Sequence, residues 1–388
     1  MIDCFSMLLY KVAQCQVVSD RSLKIAPGLL SFSFFWFAPK LPWPGLQGSS
    51  LLSAGFFLVL NKLLQGSPIL SNTTRCQQGP SCWLFANTTA IEYFHYKNVS
   101  AVDEPLSPEF LQMSYVKDWA IGAANGNAYE RWFLERTDED LLGYTGLTGD
   151  SSQKQFLGLV RSYGLVPASY FKGGISLQKH FPAIMNGFDR VIQNWKRRRG
   201  GAIRPKDENW VEFNRQLNAV LSDILKIKWP EESSDGFCPL RFAKAYLGKM
   251  VPISFSLTES DEFQIEEFQR VLGEGAFDFN QPRRLTTLSL KRSEFSSVLA
   301  KLLERNATGT ISFVWKEGSF EAKQKISAGA KHVVAVVGFL AKPISNRVSH
   351  FEVQNSWGED NGERSRHFVS VDYLGANADS VSFYIPVP

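Results

Sequence analysis

The hydrophobic pattern changes period along the chain. Leu84, Phe85, Ile91 and Phe94 recur at helical spacing and predict a buried central helix from Cys82 to about Tyr96. Residues 76–172 continue mainly helical. Residues 173–248 are more polar and charged, yet Phe188 to Trp195 and Phe213 to Ile227 keep helical periods. This stretch predicts a helical insertion packed structurally on the second half of the chain, with a cleft cap or an oligomer contact as its alternative roles. From residue 250 the pattern turns to strands. Pro252–Leu257, Thr310–Trp315, Val333–Phe339, Phe351–Gln354, Phe368–Val371 and Val381–Ile385 predict six of them, enough for a partly closed antiparallel sheet or barrel.

Residues 1–68 differ from the rest. Two apolar runs, Leu29–Phe37 and Leu51–Leu60, flank Pro39, Pro42 and Pro44. Each is shorter than the ~20 residues a membrane helix needs. The start Met1-Ile2-Asp3 is acidic, unlike the basic start of a cleaved signal. A membrane-associated extension, an internal signal, a propeptide and a start placed too early all stay open. The propeptide has least support, because the segment lacks long charged helices.

Composition narrows the function classes. The chain has 388 residues, 44% of them hydrophobic, so it can bury a sizeable core. A net charge of +4 is mild and argues for no particular partner. The basic run Lys196–Arg199 reads as a solvated loop before Gly200-Gly201, and no nucleic-acid partner is expected. Five cysteines are sparse and odd in number, which favours a reducing, cytoplasmic setting; the apolar N-terminus keeps a secreted or membrane-associated one open. Of the sequons at Asn72, Asn87, Asn98 and Asn306, Asn87 falls inside the predicted helix and is a poor glycan site. No Cys/His group has zinc-ligand spacing and no Gly-rich loop has phosphate-binding context, so no metal and no cofactor are expected.

Chemistry concentrates at three places. Gly79-Pro80-Ser81 supplies a turn and an N-cap hydroxyl, so Cys82 opens a helix. The positive helix end there favours the thiolate, which is the nucleophile. Of five histidines, His95 reads as a surface residue near a helix end, His180 and His367 as solvated, and His350 as flanking a strand. His332 alone opens a long β-branched run, where a strand start would hold an imidazole rigidly. Asn355 closes the next strand, and a turn-rich Ala341–Asn346 joins the two as a hairpin. The amide oxygen of Asn355 can then fix the tautomer of His332.

The run Cys82-Trp83-Leu84-Phe85-Ala86, the strand His332–Phe339 and Asn355-Ser356-Trp357-Gly358 together resemble the papain-like cysteine peptidases. Glu359-Asp360-Asn361-Gly362, Leu106–Leu111, Asp150–Gln153 and Tyr163–Pro167 resemble the bleomycin hydrolase / aminopeptidase C branch, as does the long separation of Cys82 from His332. The resemblance covers roughly residues 70–172 and 250–386. It implies an α+β fold of two lobes over residues 69–388, a helical left lobe with the nucleophile helix and a right lobe like an antiparallel β-barrel. It also implies a thiol peptidase acting on a peptide or protein, with Cys82 as nucleophile, His332 as acid/base and Asn355 as orienter. Trp83 and Trp357 would support the site. Aminopeptidase activity in a homo-oligomer follows from the branch; an open-cleft endopeptidase, a thiol acyltransferase and a silent binding protein stay open.

Two departures from the family pattern stand out. The oxyanion glutamine usually lies six residues before the nucleophile, where this chain has Cys76; a shortened loop makes Gln78 its equivalent. Ser151 and Ser152 replace paired glycines in a substrate-binding loop, which narrows the cleft.

Overall fold

The computed structural model describes residues 81–99, 105–124, 149–171, 177–199, 210–230, 236–247, 250–260, 265–273, 287–316, 318–322, 330–341, 347–356 and 366–387. The expectations for residues 1–68, Gln78 and Trp357 lie outside them.

Among the described residues six helices come first: α1 (Cys82–Asn98), α2 (Pro108–Ala124), α3 (Gly149–Tyr163), α4 (Leu177–Arg199), α5 (Trp210–Leu225) and α6 (Pro239–Leu247). Then β1 (Met250–Thr258), α7 (Ile265–Gly273), β2 (Thr287–Lys291), α8 (Phe295–Glu304), β3 (Thr308–Trp315), β4 (Ala330–Ala341), β5 (Val348–Gln354), β6 (Arg366–Ser370), α9 (Val371–Asn377) and β7 (Ala378–Pro386) follow. The fold is α+β, with one seven-stranded sheet in the order β2-β1-β7-β3-β4-β5-β6. Every pairing is antiparallel except β1 with β2.

The first helix is central because its sequence offers no wet side. Every residue from Cys82 to Phe94 is buried, so there is no single apolar stripe. Two of its buried polar residues turn back on their own backbone: Asn87 Nδ2 donates to the Trp83 carbonyl at 2.7 Å and Thr88 Oγ1 to that of Leu84 at 2.8 Å. His95 and Lys97 sit in the last turn, where cations suit the carbonyl end. The second helix starts on Ser107-Pro108, with Ser107 Oγ accepting from the Phe110 amide at 3.3 Å and Pro108 at the first helical position.

The sheet separates two cores. On one face Val333, Ala335, Val337 and Tyr384 pack with residues of α1 to α6. On the other Val334, Val336, Phe351 and Phe383 pack with residues of α7, α8 and α9. The β4–β5 hairpin is present, with Ala335 opposite Gln354.

Four expectations need correction. The sheet has a seventh strand, β2, and among the described residues its edge strands β2 and β6 pair with no common neighbour that would close a barrel. The helices of 177–247 pack on the first half of the chain, not the second: Ile184, Phe188, Phe213, Leu217 and Trp229 share a core with α1 and α2. Burying their apolar sides in the core shared with α1 and α2 is what their periodicity serves. The basic residues Lys196 to Arg198 are exposed in the last turn of α4, not in a loop. Ser151 and Ser152 lie in the first turn of α3 instead of a loop, and their side chains are outside the described residues.

Candidate active site

Cys82 is the first residue of α1 and is buried. The helix begins with Leu84 N–H and Phe85 N–H donating to the Ser81 carbonyl at 2.9 and 3.2 Å. The backbone amides of Cys82 and Trp83, which precede that ladder, favour the ionised form of the sulfur. A third amide, that of Val333 in β4, reaches the same sulfur from the sheet. The nucleophile candidate therefore touches the strand one residue beyond His332. Trp83 turns into the core, edge-on to Tyr115 at 5.2 Å, and anchors the helix start by packing.

His332 lies opposite Phe313 in the β3–β4 ladder and is 3% exposed. Its Nε2 is 2.8 Å from Asn355 Oδ1. The same oxygen accepts from the Ser356 amide at 2.7 Å. That backbone donor decides which end of the Asn355 amide faces inward, and the tautomer follows: Nε2 carries the hydrogen and Nδ1 keeps the lone pair. His332 is the third residue of β4 and Asn355 directly follows the last residue of β5, so the hairpin brings the two together.

The indole of Trp315 stands edge-on to the His332 ring at 5.2 Å and to the His367 ring at 5.1 Å. His367 is also against Phe320, so it is half-buried among aromatics instead of solvated. His95 stacks on Tyr246 at 4.1 Å, and His350 pairs with Glu321 at 2.9 Å. Trp315 was not legible as a site residue. It ends an ordinary apolar strand, and only the β3–β4 register brings it beside His332.

Burial sets the resting charge state. The three backbone amides favour a Cys82 thiolate, but desolvation outweighs them and pushes the thiol up from its ordinary value. This reverses the expectation from the helix dipole alone. Desolvation likewise lowers His332 to about 4, against the Asn355 hydrogen bond that raises it and with a smaller push from His367. Both directions keep Cys82 as the thiol and His332 as the neutral imidazole. Such a pair can still react, if the imidazole takes the thiol proton as attack occurs.

The Ser81 hydroxyl does not cap α1. It accepts from Gln112 Nε2 of α2 at 3.0 Å, with both residues buried. The sequence carries no signal for this pairing across 31 positions. Gln153, from the run that resembles the family's Asp-Gly-Gly-Gln, is wholly buried and donates to the Phe383 carbonyl at 3.2 Å. Among the described residues no group of three His, Cys, Asp or Glu could hold a metal ion. None of their helices is long and apolar enough to cross a membrane.

No protein-family model and no curated protein matches this chain. Solved structures do. It is similar to PepW from Lactobacillus rhamnosis HN001 (DR20), with 15% identity over 92% of each chain and a TM-score of 0.46. It is also similar to xylellain, a cysteine protease from Xylella fastidiosa, with 13% identity over 83% of this chain and 85% of that one and a TM-score of 0.33.

Proposed function

We propose that this chain is a papain-like thiol peptidase. The observation that carries the reading is the buried Nε2–Oδ1 bond between His332 and Asn355, oriented by the Ser356 amide, with the Cys82 sulfur at the amide of the next strand residue.

In this reading the Cys82 sulfur attacks a peptide carbonyl carbon while its proton passes to His332 Nδ1. The amides of Cys82 and Trp83 stabilise the oxyanion. The C–N bond breaks as the imidazolium returns the proton to the leaving amine. Water then adds to the thioester, giving its proton to His332, and the acid and the free thiol are released. Asn355 keeps the ring in the tautomer that presents Nδ1. Trp315 limits water at the pair, where a drier hydrogen bond is stronger. The finer assignment is an aminopeptidase of bleomycin hydrolase type, with an open-cleft endopeptidase as the competing one; product analysis on blocked and free N-termini separates them.

The neutral resting pair favours one second reading, a papain-like binding protein without turnover. Labelling with a peptidyl thiol-reactive electrophile, followed by mass mapping, decides between them. Fast modification at Cys82 that is lost in His332→Ala supports the peptidase, and Cys82→Ala then abolishes hydrolysis with the fold intact. Slow labelling spread over all accessible cysteines gives the binding protein the lead.

A further inference from the structure

The hydroxyl before the nucleophile is in an unusual state. A serine at an N-cap ordinarily accepts from the amide two or three positions on. At α1 those amides belong to Leu84 or, with a small shift, to Trp83. Ser81 has φ −101° and ψ 19°, outside the extended conformation of an ordinary cap, and makes no side-chain cap. Its Oγ is instead held by Gln112 Nε2 at 3.0 Å, from a different helix. Gln112 is 5% exposed and Ser81 7%, so water does not compete freely for this bond. The helix start is otherwise complete, because the Ser81 carbonyl takes the Leu84 and Phe85 amides.

From this arrangement we infer that Gln112 is a positioning residue, which holds the Ser81 hydroxyl away from the start of α1 and so reserves the Cys82 and Trp83 amides for negative charge on the reacting sulfur and oxyanion. The inference rests on the reading of Cys82 as the nucleophile. It also gives this chain a second-helix support for an oxyanion site whose usual glutamine position holds a cysteine. Hydroxyl and amide donors are alternatives here: a hydroxyl released from Gln112 can rotate to the Trp83 amide, and an amide bonded to a hydroxyl is no longer directed at the sulfur.

The test compares the full chain with Gln112→Met, Ser81→Ala and the double variant. Methionine matches glutamine in length and has no donor. The pH midpoint of Cys82 alkylation by iodoacetamide, read by mass mapping, reports the amides at the sulfur. In Gln112→Met the midpoint rises by about one pH unit. Peptide hydrolysis loses about 10²-fold in kcat, as for one lost oxyanion donor, with KM unchanged. Adding Ser81→Ala to Gln112→Met returns both values, because no hydroxyl remains to compete. Ser81→Ala alone keeps the midpoint of the native chain.

A purely structural Gln112–Ser81 bond gives the opposite pattern, with Ser81→Ala as damaging as Gln112→Met and the double variant no better. That result overturns the inference, as does a native midpoint in Gln112→Met. If Gln112→Met does not fold, Gln112→Asn, one methylene shorter, repeats the comparison. A native chain that hydrolyses no peptide sinks the peptidase reading, while the alkylation midpoints still decide the role of Gln112.

Discussion

The two faces of the sheet differ most in strands β1, β3 and β7; on β4 both faces are apolar. Toward α7, α8 and α9 the strands present Ile253, Phe255, Ile311, Phe313, Val381 and Phe383, all bulky and apolar. Toward α1 and α3 they present Ser254, Thr308, Thr310, Ser312, Ser380 and Ser382, all of them buried. Alternation of this kind usually marks a strand with one wet face. Here the polar positions are covered by α1 and α3. Small hydroxyl residues let these helices come close, and groups on both answer them: Thr308 Oγ1 donates to the Ala90 carbonyl of α1 at 2.6 Å and Ser254 Oγ to Gln153 Oε1 of α3 at 2.9 Å. Tyr384 reaches up to Asn87 Oδ1 at 2.6 Å. One face thus supplies stability by area. The other supplies directional contacts that locate α1, and with it Cys82, relative to β3, β4 and β7.

The comparison breaks most sharply on the apolar face. Phe313 is fully buried, 5.6 Å from the Trp315 ring and edge-on to Tyr373 at 6.2 Å. Phe313→Ala is expected to cost about 3–5 kcal/mol in urea unfolding. A cost under about 1 kcal/mol would mean that this face is not the main source of stability.

His332 is the next largest effect, because it places an ionisable ring in a dry setting. Its folded value of about 4 lies below the ordinary 6.5. The unfolded chain therefore binds the extra proton first. Stability is full above about pH 6.5, falls as the pH drops toward about 4, and levels off below that. The whole span amounts to about 3 kcal/mol. His332→Gln keeps a donor for Asn355 and has no proton to gain, so the difference between its pH–stability curve and the native one should trace that window. Parallel curves would show that His332 is hydrated in solution.

How much of this was legible in the sequence follows from where each determinant lies. The start of α1, the strand at His332 and the hairpin that delivers Asn355 are local patterns, and they stand where the pattern predicts. The short strand β2, with only Leu288 and Leu290 buried, was too brief to separate from the loop around it. The covered polar face was invisible, because period two says which residues share a face and not what covers it. The Ser81 cap failed for a related reason: a local preference lost to Gln112, a partner on another helix. The thiol argument failed because desolvation depends on everything packed around Cys82, whereas the helix dipole can be read from a few residues.

Tyr384→Phe tests the directional face at a smaller scale. Its hydroxyl is the donor to Asn87 Oδ1, and the Asn87 amide in turn donates to the Trp83 carbonyl at 2.7 Å. Removing the hydroxyl leaves a buried oxygen without that donor, at an expected cost of about 1–3 kcal/mol. Because the chain of bonds ends on the residue after Cys82, alkylation of Cys82 should slow as well. A stability loss with unchanged alkylation would mean that the hydroxyls hold the helix without orienting its start.

The smallest effect is expected at Thr308→Val, which keeps the shape and removes one hydroxyl. The Ala90 carbonyl lies within α1 and has its own helical amide as partner, so the lost bond leaves it singly rather than doubly bonded. The cost should be about 0.5–1.5 kcal/mol, the net worth of one ordinary hydrogen bond. The methyl in place of the hydroxyl fills the same contact, so α1 should not move and Cys82 should alkylate at the native rate. This variant separates the two properties of the polar face. If it unfolds the chain by several kcal/mol, the hydroxyls are a major source of stability and the two faces differ less than their composition implies. If it costs little while Tyr384→Phe costs more, the small residues serve close approach, and the longer polar side chains set direction.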